Sequence, residues 1–104
     1  MSQMTVEELK QMMDEKQTFT LLDVRDPEEY EYVNLGGKLI PLQELGERYQ
    51  ELDATKEIVV HCRSGIRSMH AVHFLRSRGF AKVHNLEGGI NAWSERIDSR
   101  VKRY

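Results

Sequence analysis

Short apolar runs rich in β-branched residues alternate along this chain with stretches in which apolar residues recur at helical spacing. The runs predict strands over 18–23, 38–40, 57–62 and 82–86, and the other stretches predict helices that begin after Thr5 and Asp26 and cover 42–52, 64–78 and 90–97. Such alternation is typical of an α/β fold with a mainly parallel sheet. Because the run at 57–62 is the most hydrophobic, we expect that strand to be central. The 104 residues match the size of one domain, and we predict a single domain over 1–104.

The helix termini carry recognisable signals. Thr5, followed three positions later by Glu8, predicts a capping box, in which each side chain accepts a hydrogen bond from the other residue's main-chain N–H. Gly79 is the predicted stop of the helix at 64–78, and Trp93 is expected to face the core from the last helix. Apolar residues at every third position of the helix at 64–78 predict a buried stripe, made of Ile66, Met69, Val72 and Leu75.

Charge and composition argue against several classes of protein. The net charge is −2, from 17 acidic and 15 basic residues, so we predict neither a nucleic-acid-binding surface nor attachment to an anionic membrane. No apolar run is long enough to span a bilayer, and residues 1–4 lack the pattern of a signal peptide. The single cysteine allows neither an internal disulfide nor a cysteine-cluster metal site. Because a lone thiol fits a reducing compartment, we predict a cytoplasmic protein.

One segment carries most of the chemistry. The buried strand at 57–62 runs through a short turn directly into a helix, with Cys62 as the predicted last residue of the strand. In open parallel sheets, ligands bind beyond the carboxyl ends of the strands. The free N–H groups at the start of the helix and its dipole favour an anion there, and Gly65 lets the turn tighten. We therefore expect main-chain N–H groups to surround the Cys62 sulfur.

The charges beside Cys62 favour its ionised form. Arg67 lies two residues beyond Gly65 and is expected to return its guanidinium to the same pocket, where Arg63 adds a second positive charge. Helix amides and arginines lower the pKa of a nearby cysteine, so we predict a reactive thiolate that is open to solvent at neutral pH. A lone cysteine at a strand end is otherwise a small buried hydrophobe. The two arginines favour the reactive interpretation.

Three histidines near this segment have simpler interpretations. His61 precedes Cys62 on the strand and should point to the opposite face, which favours a packing role over that of a general base. His70 and His73 lie three residues apart on the following helix. Two histidines without a third ligand are a weak metal signal, so we predict no metal site and place both at the surface or rim.

Asp23 and Arg25 lie at the end of the strand at 18–23, near the presumed ligand crevice. They could contribute to the site, or they could form a structural ion pair in which Arg25 also reaches Glu29. The alternation of side chains along a strand places both on one side, and we favour the ion pair.

Three separated motifs resemble those of the rhodanese-family sulfurtransferases. The segment at 62–68, Cys-Arg-Ser-Gly-Ile-Arg-Ser, resembles the active-site loop of that family. Residues 21–25, with a Glu-Tyr pair at 29–30, are similar to its early aspartate–valine–arginine signature, and 85–93 to its closing signature. Residues 32–42 lack the glycine–histidine–isoleucine sequence of many members and are similar to the rhodanese domains fused to adenylating enzymes of molybdopterin and thiamine biosynthesis. Tyr104 in the tail fits the same subgroup.

The resemblance implies a fold, a site and a mechanism. The family fold is a five-stranded, mainly parallel sheet flanked by helices. Cys62 would attack a small anionic sulfane donor such as thiosulfate and become a persulfide, and cyanide, a thiol or a protein sulfur carrier would then remove the sulfur. Such two-step covalent catalysis predicts ping-pong kinetics and requires no cofactor. The residues expected to bind the donor or the persulfide are Arg63, Ser64, Gly65, Ile66, Arg67 and Ser68.

Two other functions compete with sulfur transfer. A cysteine phosphatase or arsenate reductase also uses a cysteine loop that ends in arginine, but the related phosphatases place one more residue between the two than the four between Cys62 and Arg67. The shorter loop suits one sulfur atom better than a phosphate. The second alternative is a redox-sensing or partner-binding module without turnover, because an accessible thiolate oxidises readily.

Overall fold

Five short strands pair into one sheet, in the order β1-β5-β4-β2-β3, and every neighbouring pair is parallel. The computed structural model describes residues 3–104, so residues 1 and 2 of the predicted domain lie outside it. The strands are β1 (Gln3–Met4), β2 (Thr20–Asp23), β3 (Lys38–Leu39), β4 (Ile58–His61) and β5 (Val83–Leu86). All four residues of β4 are buried, which confirms its predicted central position. The two-residue strand β1 was not predicted from the local pattern.

Among residues 3–104, five α-helices flank the sheet. They are α1 (Val6–Asp14), α2 (Pro27–Tyr32), α3 (Leu45–Arg48), α4 (Ile66–Ser77) and α5 (Gly89–Arg96). The single helix predicted over 42–52 is wrong, because α3 is only one turn long and lies between two 3₁₀ turns, Leu42–Glu44 and Tyr49–Glu51. A glycine inside a helix costs about 1 kcal/mol relative to alanine, and Gly46 lies within α3.

The two faces of the sheet pack against different helices. On one face, Val60 of β4 packs in the cluster that includes Leu45 of α3 and Val72 of α4. On the other face, Val59 packs in the cluster that includes Leu9 of α1 and Trp93 of α5, so Trp93 is a core residue as predicted. This alternation along β4 follows from the two-residue period of a strand. It places the Cys62 side chain in the Val60 cluster.

The predicted terminal signals are present in the structure. The N–H of Glu8 donates to Thr5 Oγ1 at 3.1 Å and the N–H of Thr5 donates to Glu8 Oε1 at 2.9 Å, which completes the capping box of α1. Gly79 follows α4 with a φ of +92°, a conformation that favours glycine. Within residues 3–104, no helix is both long and apolar enough to cross a membrane.

The buried stripe predicted for α4 is partly wrong. Ile66 is 64% exposed, and the residues buried on α4 are Ser68, Ala71, Val72 and Leu75. A spacing of three residues falls about 60° short of a full helical turn, so its members drift around the helix. By that drift Ile66 lies on the opposite side of α4 from Leu75.

Candidate active site

Cys62 lies immediately beyond β4, at the carboxyl edge of the sheet, one position later than the last residue of the strand. Its main-chain carbonyl accepts a hydrogen bond of 2.9 Å from the N–H of Ile90 at the start of α5. A Cβ on Gly89 would lie 2.5 Å from that carbonyl oxygen. The glycine therefore allows the turn between β5 and α5 to pack directly against the cysteine loop.

The turn after Cys62 directs its main-chain N–H groups at the sulfur. Sγ accepts from the N–H of Gly65 at 3.1 Å and from the N–H of Ser68 at 3.4 Å, and the Ser68 hydroxyl oxygen lies 3.4 Å away. Gly65 caps α4 with a φ of +112°, which favours glycine over residues with a side chain. Two of the N–H donors predicted to surround the sulfur therefore reach it, and we call Gly65, Ser68 and their N–H groups the sulfur cradle.

Two opposing effects act on the pKa of Cys62. Burial raises it, whereas hydrogen bonds from Ser68, from the N–H of Gly65 and from the N–H of Ser64 lower it. The net pKa is below the ordinary value of a cysteine thiol, as predicted. The expectation that Cys62 is open to solvent is wrong, because the residue is only 1% exposed. Its side chain lies in the buried apolar cluster that contains Val60.

The two arginines of the loop are both engaged with other side chains. Arg67 forms a two-pronged ion pair with Glu29 on α2, with distances of 2.7 Å and 2.9 Å. Hydrogen bonding to Arg67 dominates the environment of Glu29 and lowers its pKa to about 2, against the opposing effect of burial. The Arg63 guanidinium lies 5.2 Å from the centroid of the Tyr104 ring. Arg67 also interacts electrostatically with Cys62.

Tyr104 joins the two charged pairs beside the site. Its hydroxyl donates to Glu29 Oε2 at 2.6 Å and accepts from Arg25 Nη1 at 2.8 Å. Burial is the main cause of a raised Tyr104 pKa. Arg25 and Asp23 form a fully buried ion pair of 2.7 Å, which confirms the favoured interpretation of these residues. Arg25 reaches Glu29 at its main-chain carbonyl, at 3.4 Å.

The histidines take the predicted positions. His61 is fully buried, and its Nε2 lies 3.6 Å from Asp23 Oδ2. Burial lowers the His61 pKa, so the ring is neutral at pH 7 and fills space on its face of the sheet. His70 and His73 are exposed on α4. The described residues contain no group of three or more His, Cys, Asp or Glu side chains arranged to hold a metal ion.

The predicted loop residues fall into three groups. Gly65 and Ser68 contact the sulfur, the side chains of Arg63, Ser64 and Ile66 are exposed, and Arg67 pairs with Glu29. Sequence analysis gave no role in the site to three of its neighbours, which are Glu29, Asn85 and Tyr104. Asn85 is 3% exposed and hydrogen-bonds both cradle residues. Each of the three belongs to a segment with a motif resemblance, but the motif alone does not reveal what the side chain contacts.

Comparison with known proteins identifies the family. The model of the rhodanese-like domain matches residues 5–96, most of the chain and all of the site except Tyr104. The chain belongs to the rhodanese-like family. A sulfurtransferase of Allochromatium vinosum is 34% identical to this rhodanese-like domain, over 85% of the domain and 83% of the relative. A rhodanese-like domain protein of Staphylococcus aureus has a similar structure, with a TM-score of 0.86, 28% identity and coverage of 100% of this chain and 99% of that one.

The predicted subgroup is also represented among the relatives. The probable adenylyltransferase/sulfurtransferase MoeZ of Mycobacterium tuberculosis is 34% identical over 99% of this rhodanese-like domain. The domain spans only 27% of the length of that relative. The resemblance to rhodanese domains fused to adenylating enzymes is thereby confirmed.

Proposed function

We propose that this rhodanese-like domain is a sulfurtransferase that carries sulfane sulfur as a persulfide on Cys62. The observation that supports this most directly is the convergence of two main-chain N–H groups, from Gly65 and Ser68, on the sulfur of the only cysteine. N–H donors stabilise a thiolate before reaction, and they suit the terminal anionic sulfur of a persulfide after it.

The first step loads the enzyme. The Cys62 thiolate attacks the outer sulfur of a sulfane donor such as thiosulfate. A new S–S bond forms to Cys62, the S–S bond of the donor breaks, and sulfite leaves with the electron pair of that bond. The charge of −3 on thiolate plus thiosulfate equals that on the anionic persulfide plus sulfite. The cradle N–H groups would stabilise the negative charge on the outer sulfur, so this step requires no metal.

The second step returns the free thiolate. A nucleophile attacks the outer sulfur of the persulfide, its bond to that sulfur forms, and the persulfide S–S bond breaks with its electron pair on Cys62 Sγ. Cyanide becomes thiocyanate in this step. In the cell we propose a thiol or a protein sulfur carrier as acceptor, in the reducing cytoplasm that a lone thiol suits.

The residues of the loop have different proposed roles in binding. We propose that the N–H groups of Ser64, Gly65 and Ser68 hold the sulfur atoms, that Arg63 draws an anionic donor to the surface, and that Arg67 orients the loop. Ile66, exposed at 64%, would contact the donor or acceptor from outside. The burial of Cys62 weakens the redox-sensor alternative, since oxidation by peroxide favours accessible thiolates.

Intact-mass measurement after incubation with a sulfane donor tests this function. We expect the protein to gain one sulfur atom from thiosulfate or from an alkyl persulfide, and to lose it on addition of cyanide with release of thiocyanate. Cys62→Ser should gain none. Ser77→Ala, a change far along α4, is a matched control that should load normally. No gain of sulfur from either donor would contradict the proposal.

A further inference from the structure

One buried amide bridges both residues of the sulfur cradle. Asn85 lies on β5, opposite Val60 of β4, and its side chain is directed toward the loop. Its Nδ2 donates to the main-chain carbonyl of Gly65 at 3.2 Å, and its Oδ1 accepts from the Ser68 hydroxyl at 2.5 Å. Asn85 Nδ2 also donates a hydrogen bond to Gln3 Oε1 at 3.4 Å. Asn85 does not touch Cys62 itself, so any effect it has on the sulfur passes through the cradle.

The orientation of the Asn85 amide is fixed by its partners. The Gly65 carbonyl can only accept, so the amide group that faces it is the NH₂ group. The oxygen of the amide therefore faces Ser68. An amide oxygen can only accept, so the Ser68 hydroxyl must be the donor in that contact.

In this geometry the Ser68 hydroxyl has no proton to give to the sulfur, so the hydrogen bond by which it favours the thiolate forms only after the hydroxyl turns. A hydroxyl has one proton to donate and lone pairs with which to accept. While that proton points at Asn85, the Ser68 oxygen presents a lone pair to Cys62 Sγ, 3.4 Å away. A thiol can donate its S–H to this oxygen, but a thiolate cannot. A thiolate would gain the hydroxyl as a donor only if the hydroxyl turned away from Asn85, which would leave the buried Oδ1 without it.

We propose that Asn85 is a positioning residue that competes with the Cys62 thiolate for the single proton of the Ser68 hydroxyl. Ionisation of Cys62 and rotation of that hydroxyl are then one coupled event. Asn85 favours the thiol form of the site, and Ser68 turns to the sulfur when the thiolate forms. The inference rests on the proposed function only in naming Cys62 as the nucleophile, and its test does not require sulfur transfer.

Nuclear magnetic resonance of the folded protein tests the coupling directly. We expect the side-chain carbonyl ¹³C resonance of Asn85 to titrate with the same midpoint as the Cys62 thiol, because its oxygen loses a hydrogen bond as the thiolate forms. In Ser68→Ala this titration should fall to the small through-space effect of the charge. An Asn85 resonance that stays constant while Cys62 ionises, or that titrates equally in Ser68→Ala, would overturn the proposal.

A pair of variants measures the competition by its effect on reactivity. Asn85→Leu removes the competing acceptor and keeps a side chain of similar size. The rate of Cys62 labelling by iodoacetamide should then rise by about threefold to tenfold, which is the effect expected of one hydrogen bond to the thiolate. The rate is measured at a pH below the midpoint of Cys62 ionisation in the wild type. In the Ser68→Ala background the same change should raise it by less than twofold. A slower rate in Asn85→Leu, with circular dichroism unchanged, would mean that Asn85 acts only by holding Gly65.

Discussion

The ion pair between Glu29 and Arg67 should stabilise the fold by an amount that can be derived from its geometry. Hydrogen bonds from Arg67 and Tyr104 lower the Glu29 pKa from 4.5 to about 2. At about 1.4 kcal/mol for each pKa unit, this lowering corresponds to about 3 kcal/mol of folding free energy. The side chains of Glu29 and Arg67 are 19% and 33% exposed, and solvent screening reduces the expected contribution to about 2 kcal/mol.

The pH dependence of this contribution has a definite sign. Because the folded pKa of Glu29 is lowered, its contribution is fully present above the unfolded pKa of 4.5 and is lost as pH falls toward 2. Glu29→Gln mimics the protonated carboxyl. We therefore expect the variant to be less stable than wild type by about 2 kcal/mol at pH 7, and the difference to shrink steadily below pH 4.5.

Urea unfolding, followed by the fluorescence of the buried Trp93, measures this difference at a series of pH values between 7 and 2. Glu31→Gln is the matched control, because Glu31 is an exposed glutamate on the same helix, α2. It should unfold like wild type throughout. Equal stabilities of Glu29→Gln and wild type at pH 7, or a difference that persists unchanged at low pH, would refute the argument.

Three further outcomes are expected. Glu29→Gln frees the Arg67 guanidinium, so the KM for thiosulfate should fall several-fold in steady-state assays with cyanide; an unchanged KM would mean that the donor never meets Arg67. Tyr104→Phe removes the hydrogen bonds of the hydroxyl to the partly buried Glu29 carboxylate and from Arg25, and it should cost about 1–2 kcal/mol in urea unfolding, with a smaller loss in a Glu29→Gln background, where only the bond from Arg25 remains at full strength. The rate of Cys62 labelling by iodoacetamide should have its midpoint at a lower pH than that of free cysteine, because hydrogen bonds lower the Cys62 pKa; a midpoint above it would contradict the role of the cradle.

Local sequence patterns predicted the central part of the fold. Strands β2, β4 and β5 lie within the segments predicted for them, and the capping box of α1 depends on two residues three positions apart. Local sequence patterns did not predict the part of the sheet that depends on pairing between distant segments. Strand β1 has only two residues and owes its existence to pairing with β5, in which Gln3 lies opposite Asn85.

The difference between local and long-range contacts also explains which features of the site could be predicted. The N–H donors around Cys62 come from the residues that follow it, so the local sequence was sufficient. The partners of the arginines are distant in the chain, since Glu29 lies 38 residues before Arg67 and 75 before Tyr104. Helical spacing and residue type carry no information about such contacts. For that reason the arginines were expected in the pocket, and the burial of Cys62 was missed.

The balance of charge around the site bears on which donors it selects. Asp23 neutralises Arg25 and Glu29 neutralises Arg67. Of the arginines near the sulfur, Arg63 alone has no ion pair with any residue from 3 to 104. The positive potential at Cys62 therefore comes mainly from main-chain N–H groups, which act at hydrogen-bond distance and favour a single anionic sulfur atom. Under the proposed function, such a site would not require its donor to carry an oxyanion, and attraction for thiosulfate would depend on one exposed guanidinium, whose effect salt should screen.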